Sequence, residues 1–465
     1  METKPTNRWL IVAGGVLINL MLGVTYTWSI FGSTLANATG PYKWSNADQT
    51  LAFSVMLLFF GITMPIAGRI QDKKGPRLIA LIGGILLGLG FLASSMTINM
   101  TLSIPLIVFT LDIKMLCITY GVLAGCGVGF AYGAPIAAGN KWFPDKRGLI
   151  AGIMVFGFGF GSVLLAPIAQ VMIGGLPAQP KGLIQPIIVS VFQMPALAGL
   201  LKIGLENTFM YLGATFLVVI CVGALVLKNP PAGWKPEGWD PSKSKKAITR
   251  AYKEFTTSEM TKTRQFWMLW VMFIFTAAAG LMVIGFLNKF AELCLIEKYS
   301  YPAQNALLEG AVAVSVLAIF NGIGRIFAGW LSDQIGRAKT MFILFGLQAI
   351  LMASFVYLTG TSIIMIYVVM AMIGLCFGAC FSLFPSTTAD FFGAKNSGAN
   401  YGILFTSYGL GGILGPMLSV YMLPATPHTG DYVMPGLILG TLVGIAAVMA
   451  LIIKAPKVPS SKSNP

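Results

Sequence analysis

The chain has 465 residues, of which 56% are hydrophobic and only 10% charged, and its formal net charge is +15. Soluble globular domains carry about 25% charged residues, so the composition excludes a soluble fold and indicates an integral membrane protein. The positive charge does not indicate nucleic acid, because Lys and Arg gather in the polar loops between apolar runs, as they do on the cytoplasmic side of membrane proteins.

A membrane-spanning helix needs about 20 mostly apolar residues. Twelve stretches meet this, near 9–34, 49–70, 77–97, 115–139, 148–174, 207–228, 265–290, 307–331, 338–358, 362–388, 399–423 and 432–454. They are numbered spans 1 to 12. The first apolar run, Trp9 to Phe31, is too long for the roughly 7–15-residue core of a cleavable signal peptide. Asn99 to Lys114 reads as an extension of spans 3 and 4. Span 4 carries Gly121, Gly125, Gly129 and Gly133, a ladder that lets a neighbouring helix approach closely.

Leu176 to Asn207 is apolar but broken by Pro177, Pro180, Pro186 and Pro195. It is expected to form an outer hairpin or a re-entrant segment, not a thirteenth span. The expected organisation is an N-terminal six-helix bundle (1–228), a polar cytoplasmic central loop (229–264), a C-terminal six-helix bundle (265–454) and a polar tail (455–465). With both termini in the cytoplasm, most of the 31 Lys and Arg fall in inner loops and tails, and only Arg325 is left in the membrane.

The six cysteines lie in or beside apolar runs without metal-ligand spacing. They read as free thiols, and neither a metal site nor a disulfide is expected. No phosphate-binding loop or nucleophile–histidine–acid set is present, and the one histidine, His428, falls in an outer loop. The chain therefore does not read as an enzyme, and no cofactor is expected.

Two inner loops repeat each other. Gly68-Arg-Ile-Gln-Asp72-Lys-Lys-Gly75-Pro-Arg77 joins spans 2 and 3, and Gly329-Trp-Leu-Ser-Asp333-Gln-Ile-Gly336-Arg337 joins spans 8 and 9. A weaker pair, KWFPDKRG and DFFGAKNSG, joins spans 4 and 5 and spans 10 and 11. Spans 1–6 and 7–12 are thus two versions of one unit. Over nearly its whole length the chain resembles the major facilitator superfamily, whose signature is the first of these duplicated motifs. The resemblance implies an all-α membrane fold of twelve helices in two pseudo-symmetric six-helix bundles. It also implies that Gly68, Asp72, Gly75, Arg77, Gly329, Asp333, Gly336 and Arg337 form gating contacts. Each Asp can cap a helix N-terminus or pair with Arg across the interface between the halves, and the glycines allow tight turns and close helix contact.

Arg325 precedes Asp333 by about 12 Å of helix, which puts it near the middle of the roughly 30 Å hydrocarbon core. An Arg at a helix centre costs about 2.5–3.5 kcal/mol on insertion scales, and all sixteen acidic residues lie in loops or near span ends. An unpaired guanidinium in an aqueous cavity is therefore expected to bind an anion, its planar fork suiting a carboxylate. Asn321, one turn earlier, either contacts the anion or orients Arg325.

The pattern Asn321-x-x-x-Arg325-x-x-x-Gly329-Trp330-x-x-Asp333 resembles helix 8 of the oxalate/formate antiporter group and its bacterial monocarboxylate transporter relatives. GVTYTWSIF in span 1, AYGAPIAAGNKWFPDKRGLIAGI across spans 4 and 5, and NYGILFTSYG in span 11 agree with it. The resemblance implies that Arg325 binds the substrate carboxylate. Oxalate carriers place a lysine in helix 11, where this chain has Tyr408, and Trp and Tyr in helix 10, where it has Phe377 and Phe381. One central cation and less polar walls favour a small monoanion such as lactate, pyruvate or acetate. The more distant animal monocarboxylate transporters carry an aspartate one turn before the arginine, where Asn321 stands here, so the usual proton acceptor is missing and proton coupling stays open.

Tyr26 and Trp28 in span 1 and Tyr132 in span 4 are further candidates for the pocket wall. Lys289 reads as a helix-end lysine, and Cys376 and Cys380 as packing residues. The expected protein is a secondary transporter of a small monocarboxylate in the cytoplasmic membrane, working as a monomer in the lipid bilayer. A carboxylate antiporter of the oxalate/formate type and a non-transporting carboxylate receptor are the alternatives.

Overall fold

The structure, a computed structural model, describes residues 7–35, 41–44, 46–105, 110–174, 190, 198–231, 233–236, 254–424 and 427–456. Spans 2, 3, 5 and 6 are Asn46–Lys74, Pro76–Thr97, Arg147–Gly174 and Leu205–Val226. Spans 7 to 12 are Arg264–Tyr299, Ala303–Ile335, Arg337–Thr359, Ile363–Phe392, Ser397–Met422 and Val433–Ile452. Among the described residues, 11 helices are long and apolar enough to cross a membrane. The 26-residue helix of span 11 completes the twelve-helix architecture.

Spans 1 and 4 are irregular. Span 1 runs Arg8–Leu22, tightens to a 3-10 helix over Gly23–Thr27 and resumes at Trp28–Leu35. The break lies where Gly23 meets the backbone of Phe158 and Gly161 in span 5, and it carries Tyr26. Span 4 starts as a π-helix, Cys117–Ala124, and continues as an α-helix, Gly125–Trp142. Its glycine ladder faces span 2: Cβ atoms on Gly121, Gly125, Gly129 and Gly133 would meet Val55, Met56, Thr63 and Met64.

Spans 1–6 pack mainly on one another, as do spans 7–12, and the two groups meet along spans 2 and 11 and spans 5 and 8. Apolar side chains such as Ile62, Val218 and Ile350 are exposed on the outside of this body, where a bilayer would cover them.

Asn99 to Lys114 does not extend spans 3 and 4. Thr101–Pro105 and Thr110–Lys114 pair as an antiparallel hairpin, with Ser103 opposite Asp112 and Thr101 opposite Lys114. Their alternation of polar residues with Leu and Ile has the period of a strand, which the flanking apolar runs mask. The proline-broken stretch lies largely outside the described residues, as do residues 237–253 of the central loop and 457–465 of the tail. The described ends of the central loop are docked. Trp142 Nε1 donates to the Lys228 carbonyl at 2.7 Å, and the Phe255 amide to the Phe392 carbonyl at 2.9 Å.

Candidate functional site

The repeated motifs build two equivalent joints. A Cβ on Gly68 would collide with the Gly398 carbonyl at the start of span 11, and one on Gly329 with the Gly148 carbonyl at the start of span 5. This close approach delivers each motif Asp to a helix N-terminus of the opposite bundle. Asp72 accepts from the amides of Gly398 (3.2 Å) and Ala399 (2.8 Å). Asp333 accepts from those of Gly148 (3.2 Å) and Leu149 (2.8 Å). Carboxylates suit such positions because the free N–H groups and the helix dipole converge there. Gly75 and Gly336 have φ of 88° and 97°, the left-handed region that side chains disfavour.

The charges around the joints differ. Arg337 pairs with Asp333 and Asp390 at 2.9 Å each, and Arg147 reaches Asp390 at 2.9 Å from the opposite bundle. Arg77 is exposed and, among the described residues, makes no ion pair. The structure therefore does not bring it into the joint. Lys141 of span 4 faces Asp72 instead, at 3.6 Å.

Arg325 lies between the bundles and is fully buried. It is neither in an open cavity nor without partners, contrary to the sequence expectation. Its Nε and Nη2 donate to Asn321 Oδ1 at 3.2 and 2.9 Å, and its Nη1 to the Val155 carbonyl of span 5 at 2.6 Å. The guanidinium carbon stands 4.3 Å from the Phe381 ring centroid and 5.6 Å from that of Phe158. The room for this comes from Gly159, where a Cβ would press on Asn321 and the guanidinium. Every partner is neutral, and no ion pair to Arg325 occurs among the described residues. Asn321 Nδ2 is buried and, among the described residues, has no acceptor.

The aromatic candidates gather unevenly. The hydroxyls of Tyr26 and Tyr408 lie 3.0 Å apart across the two bundles. Tyr408 packs on Phe381 (5.3 Å) and Phe405 (4.9 Å), and Tyr132 on Phe158 (5.2 Å) and Phe60 (5.3 Å). Phe377 stands behind Phe381 at 5.3 Å. Trp28 belongs to another cluster, stacked on Tyr120 at 4.4 Å. Cys376 and Cys380 are buried free thiols.

Phe158, Lys141, Arg147 and the Val155 carbonyl were not among the sequence candidates. KWFPDKRG, already notable as a repeat, holds Lys141 and Arg147 and could have pointed to them. Nothing in the sequence marks a particular backbone carbonyl.

Two six-helix bundles meeting around a buried cation, with paired joints at one end, are the architecture of a membrane transporter. The chain belongs to the Major Facilitator Superfamily, whose model matches residues 17–416. It is 30% identical to the oxalate:formate antiporter of Oxalobacter formigenes over 413 residues, covering 88% of this chain and 83% of that one. It is 25% identical to apicoplast pyruvate carrier 1 of Toxoplasma gondii over 474 residues, covering 87% and 82%. Among solved structures it resembles the major facilitator transporter FucP in the outward conformation, with a TM-score of 0.58 and 15% identity over 95% of this chain and 99% of that one. That likeness concerns the fold.

Proposed function

We propose that this protein carries a small monocarboxylate of the lactate or pyruvate kind across the cytoplasmic membrane, with Arg325 binding the carboxylate. The observation that carries this is the burial of one guanidinium between the bundles with only neutral acceptors around it. A carboxylate makes shorter and stronger bonds to a guanidinium than an amide or carbonyl oxygen does. It can therefore displace Asn321 Oδ1 and the Val155 carbonyl, while Asn321 Nδ2 supplies a spare donor. Phe381, Phe377, Tyr132 and the Tyr26–Tyr408 pair would enclose a short apolar tail; Trp28 stands outside this wall. The pyruvate carrier among the relatives supports the substrate class.

The bias of Lys and Arg supports placing the motif loops and both termini in the cytoplasm. The halves 1–228 and 265–454 would rock about the site, with the Asp72 and Asp333 joints as the inner gate and Gly68, Gly75, Gly329, Gly336 and Arg337 shaping it. The chain would work as a monomer, and no carboxylate beside Arg325 would serve as a proton acceptor.

The test is uptake of labelled L-lactate and pyruvate by proteoliposomes. Arg325→Ala should abolish it while the variant still purifies as a folded protein, and full uptake by that variant would refute the assignment. Exchange of oxalate for formate is the second reading, favoured by the antiporter relative. Counterflow separates the two, because a site with one cation should exchange lactate faster than oxalate.

A further inference from the structure

Between spans 2, 4 and 11 lies a small cavity of about 10 Å³, lined among others by Gln71, Asn140, Ser397 and Tyr401. That is room for about one water molecule. Asn140, Ser397 and Tyr401 are only 2%, 3% and 4% exposed, yet among the described residues Asn140 Oδ1, Ser397 Oγ and Tyr401 Oη have no partner in good hydrogen-bond geometry, the Tyr401 hydroxyl interacting only loosely with that of Tyr132. Among the described residues, Gln71 Nε2 makes one long bond, 3.4 Å to the Ala134 carbonyl. Buried polar atoms are nearly always satisfied, so a cluster of unsatisfied ones around one cavity calls for a polar occupant.

The position of the cavity gives that occupant a role. Its floor is the Asp72 joint, because Gly398, whose amide Asp72 accepts, is itself a lining residue. Its roof is Tyr401, which packs on Phe405 at 5.6 Å, and Phe405 packs on Tyr132 at 5.3 Å. The cavity thus lies between the Asp72 joint and the aromatic residues Phe405 and Tyr132 on the way to the Arg325 site. Among the described residues this joint also has the fewer ion pairs between the bundles. The span 5 and 8 joint has an ion pair between the bundles, Arg147 to Asp390. At the span 2 and 11 joint, the ion pair of Asp72 is with Lys141 of its own bundle.

We propose that this cavity is an inner transit site for the transported carboxylate, filled by an ordered water while the gate is closed. Ser397 and Tyr401 would donate to the carboxylate after it leaves Arg325, as would Gln71 Nε2. Asn140 Oδ1, an acceptor, would take a hydrogen bond from the water, and the Asn140 amide would turn to present Nδ2 to the carboxylate. Opening would begin at the Asp72 joint and widen this side first. The proposal rests on the reading of Arg325 as the carboxylate site.

The experiment uses the full chain in proteoliposomes. Whichever of L-lactate, pyruvate, formate and oxalate gives the largest thermal shift serves as the probe. Tyr401→Phe, which keeps the ring, and Asn140→Leu should each slow probe exchange at least fivefold and leave the half-saturating concentration in the thermal-shift assay within twofold. Ser397→Cys should react with the anionic reagent methanethiosulfonate ethylsulfonate, and saturating probe should slow that reaction at least threefold. Exchange by Tyr401→Phe within twofold of the unsubstituted protein overturns the transit site, as does labelling of Ser397→Cys that the probe does not slow. Arg325→Ala separates the two failures. Normal probe binding by that variant removes the underlying site, whereas lost binding beside full exchange in Tyr401→Phe removes the transit site alone.

Discussion

The hydroxyls of Tyr26 and Tyr408 form a 3.0 Å hydrogen bond that joins span 1 of one bundle to span 11 of the other. In the proposed transport cycle, opening the space beside Arg325 would part this bond. A neutral hydrogen bond contributes about 0.5–1.5 kcal/mol, so Tyr26→Phe and Tyr408→Phe should each change the exchange rate by no more than about tenfold. The bond is lost in either variant, and Tyr26→Phe also loses the hydroxyl's interaction with Arg325, so Tyr26→Phe/Tyr408→Phe should behave like Tyr26→Phe alone. Additive losses in counterflow would mean that the two hydroxyls act separately.

Phe381 offers its ring face to the guanidinium at 4.3 Å. A desolvated cation–π contact contributes up to about 2 kcal/mol. Phe381→Leu keeps an apolar side chain but loses that contact. It should weaken carboxylate binding by up to about thirtyfold, measured by thermal shift across a ligand titration, and Phe381→Tyr should retain most of the affinity.

The two motif carboxylates protect different amides. Asp333→Asn should speed hydrogen exchange at Gly148 and Leu149, and Asp72→Asn at Gly398 and Ala399. Hydrogen bonds to charged groups contribute about 1.5–3 kcal/mol, so the increase should be about tenfold or more at the matching pair and small at the other. Mass spectrometry of the two peptides reads this directly.

Outside the apolar part of span 7, Glu297 accepts from the Thr429 amide (3.0 Å) and hydroxyl (2.7 Å) and lies 2.8 Å from His428 Nδ1. Burial opposes its ionisation, but these bonds together outweigh it and hold the carboxyl below the ordinary glutamate value. A carboxyl lowered in the folded state adds stability above its unfolded value of about 4.3, and that stability is lost as pH falls through the folded value. The melting temperature should therefore fall on acidification below about pH 4.3, and Glu297→Gln should lose that component. An unchanged acid profile in Glu297→Gln would contradict the role.

The spans were legible because length and apolarity are local properties. The Thr101–Lys114 hairpin was not, since two five-residue strands between apolar runs resemble helix ends. The repeated motifs predicted helix capping by Asp72 and Asp333, but not the unequal partners. Pro76 follows Gly75 where Arg337 follows Gly336, so Arg77 is displaced by one position and points away from the joint. Lys141 reaches Asp72 only through tertiary packing. Arg325 was conspicuous in the sequence because of its charge. The acceptors that hold it include a backbone carbonyl, and its second aromatic neighbour comes from span 5. Neither leaves a pattern in the sequence around residue 325.

The neutrality of the groups around Arg325 has an electrical consequence. If a monoanion binds there, the loaded centre carries no net charge and the empty centre carries one positive charge. A charge moved across a membrane changes energy by about 2.3 kcal/mol per 100 mV. The empty carrier would feel some fraction of this as it reorients, and the loaded carrier would feel almost none. A potential negative inside would then hold empty carriers facing inward and leave one-for-one exchange unaffected. Net uptake and exchange would differ in their response to voltage, although both use the same arginine.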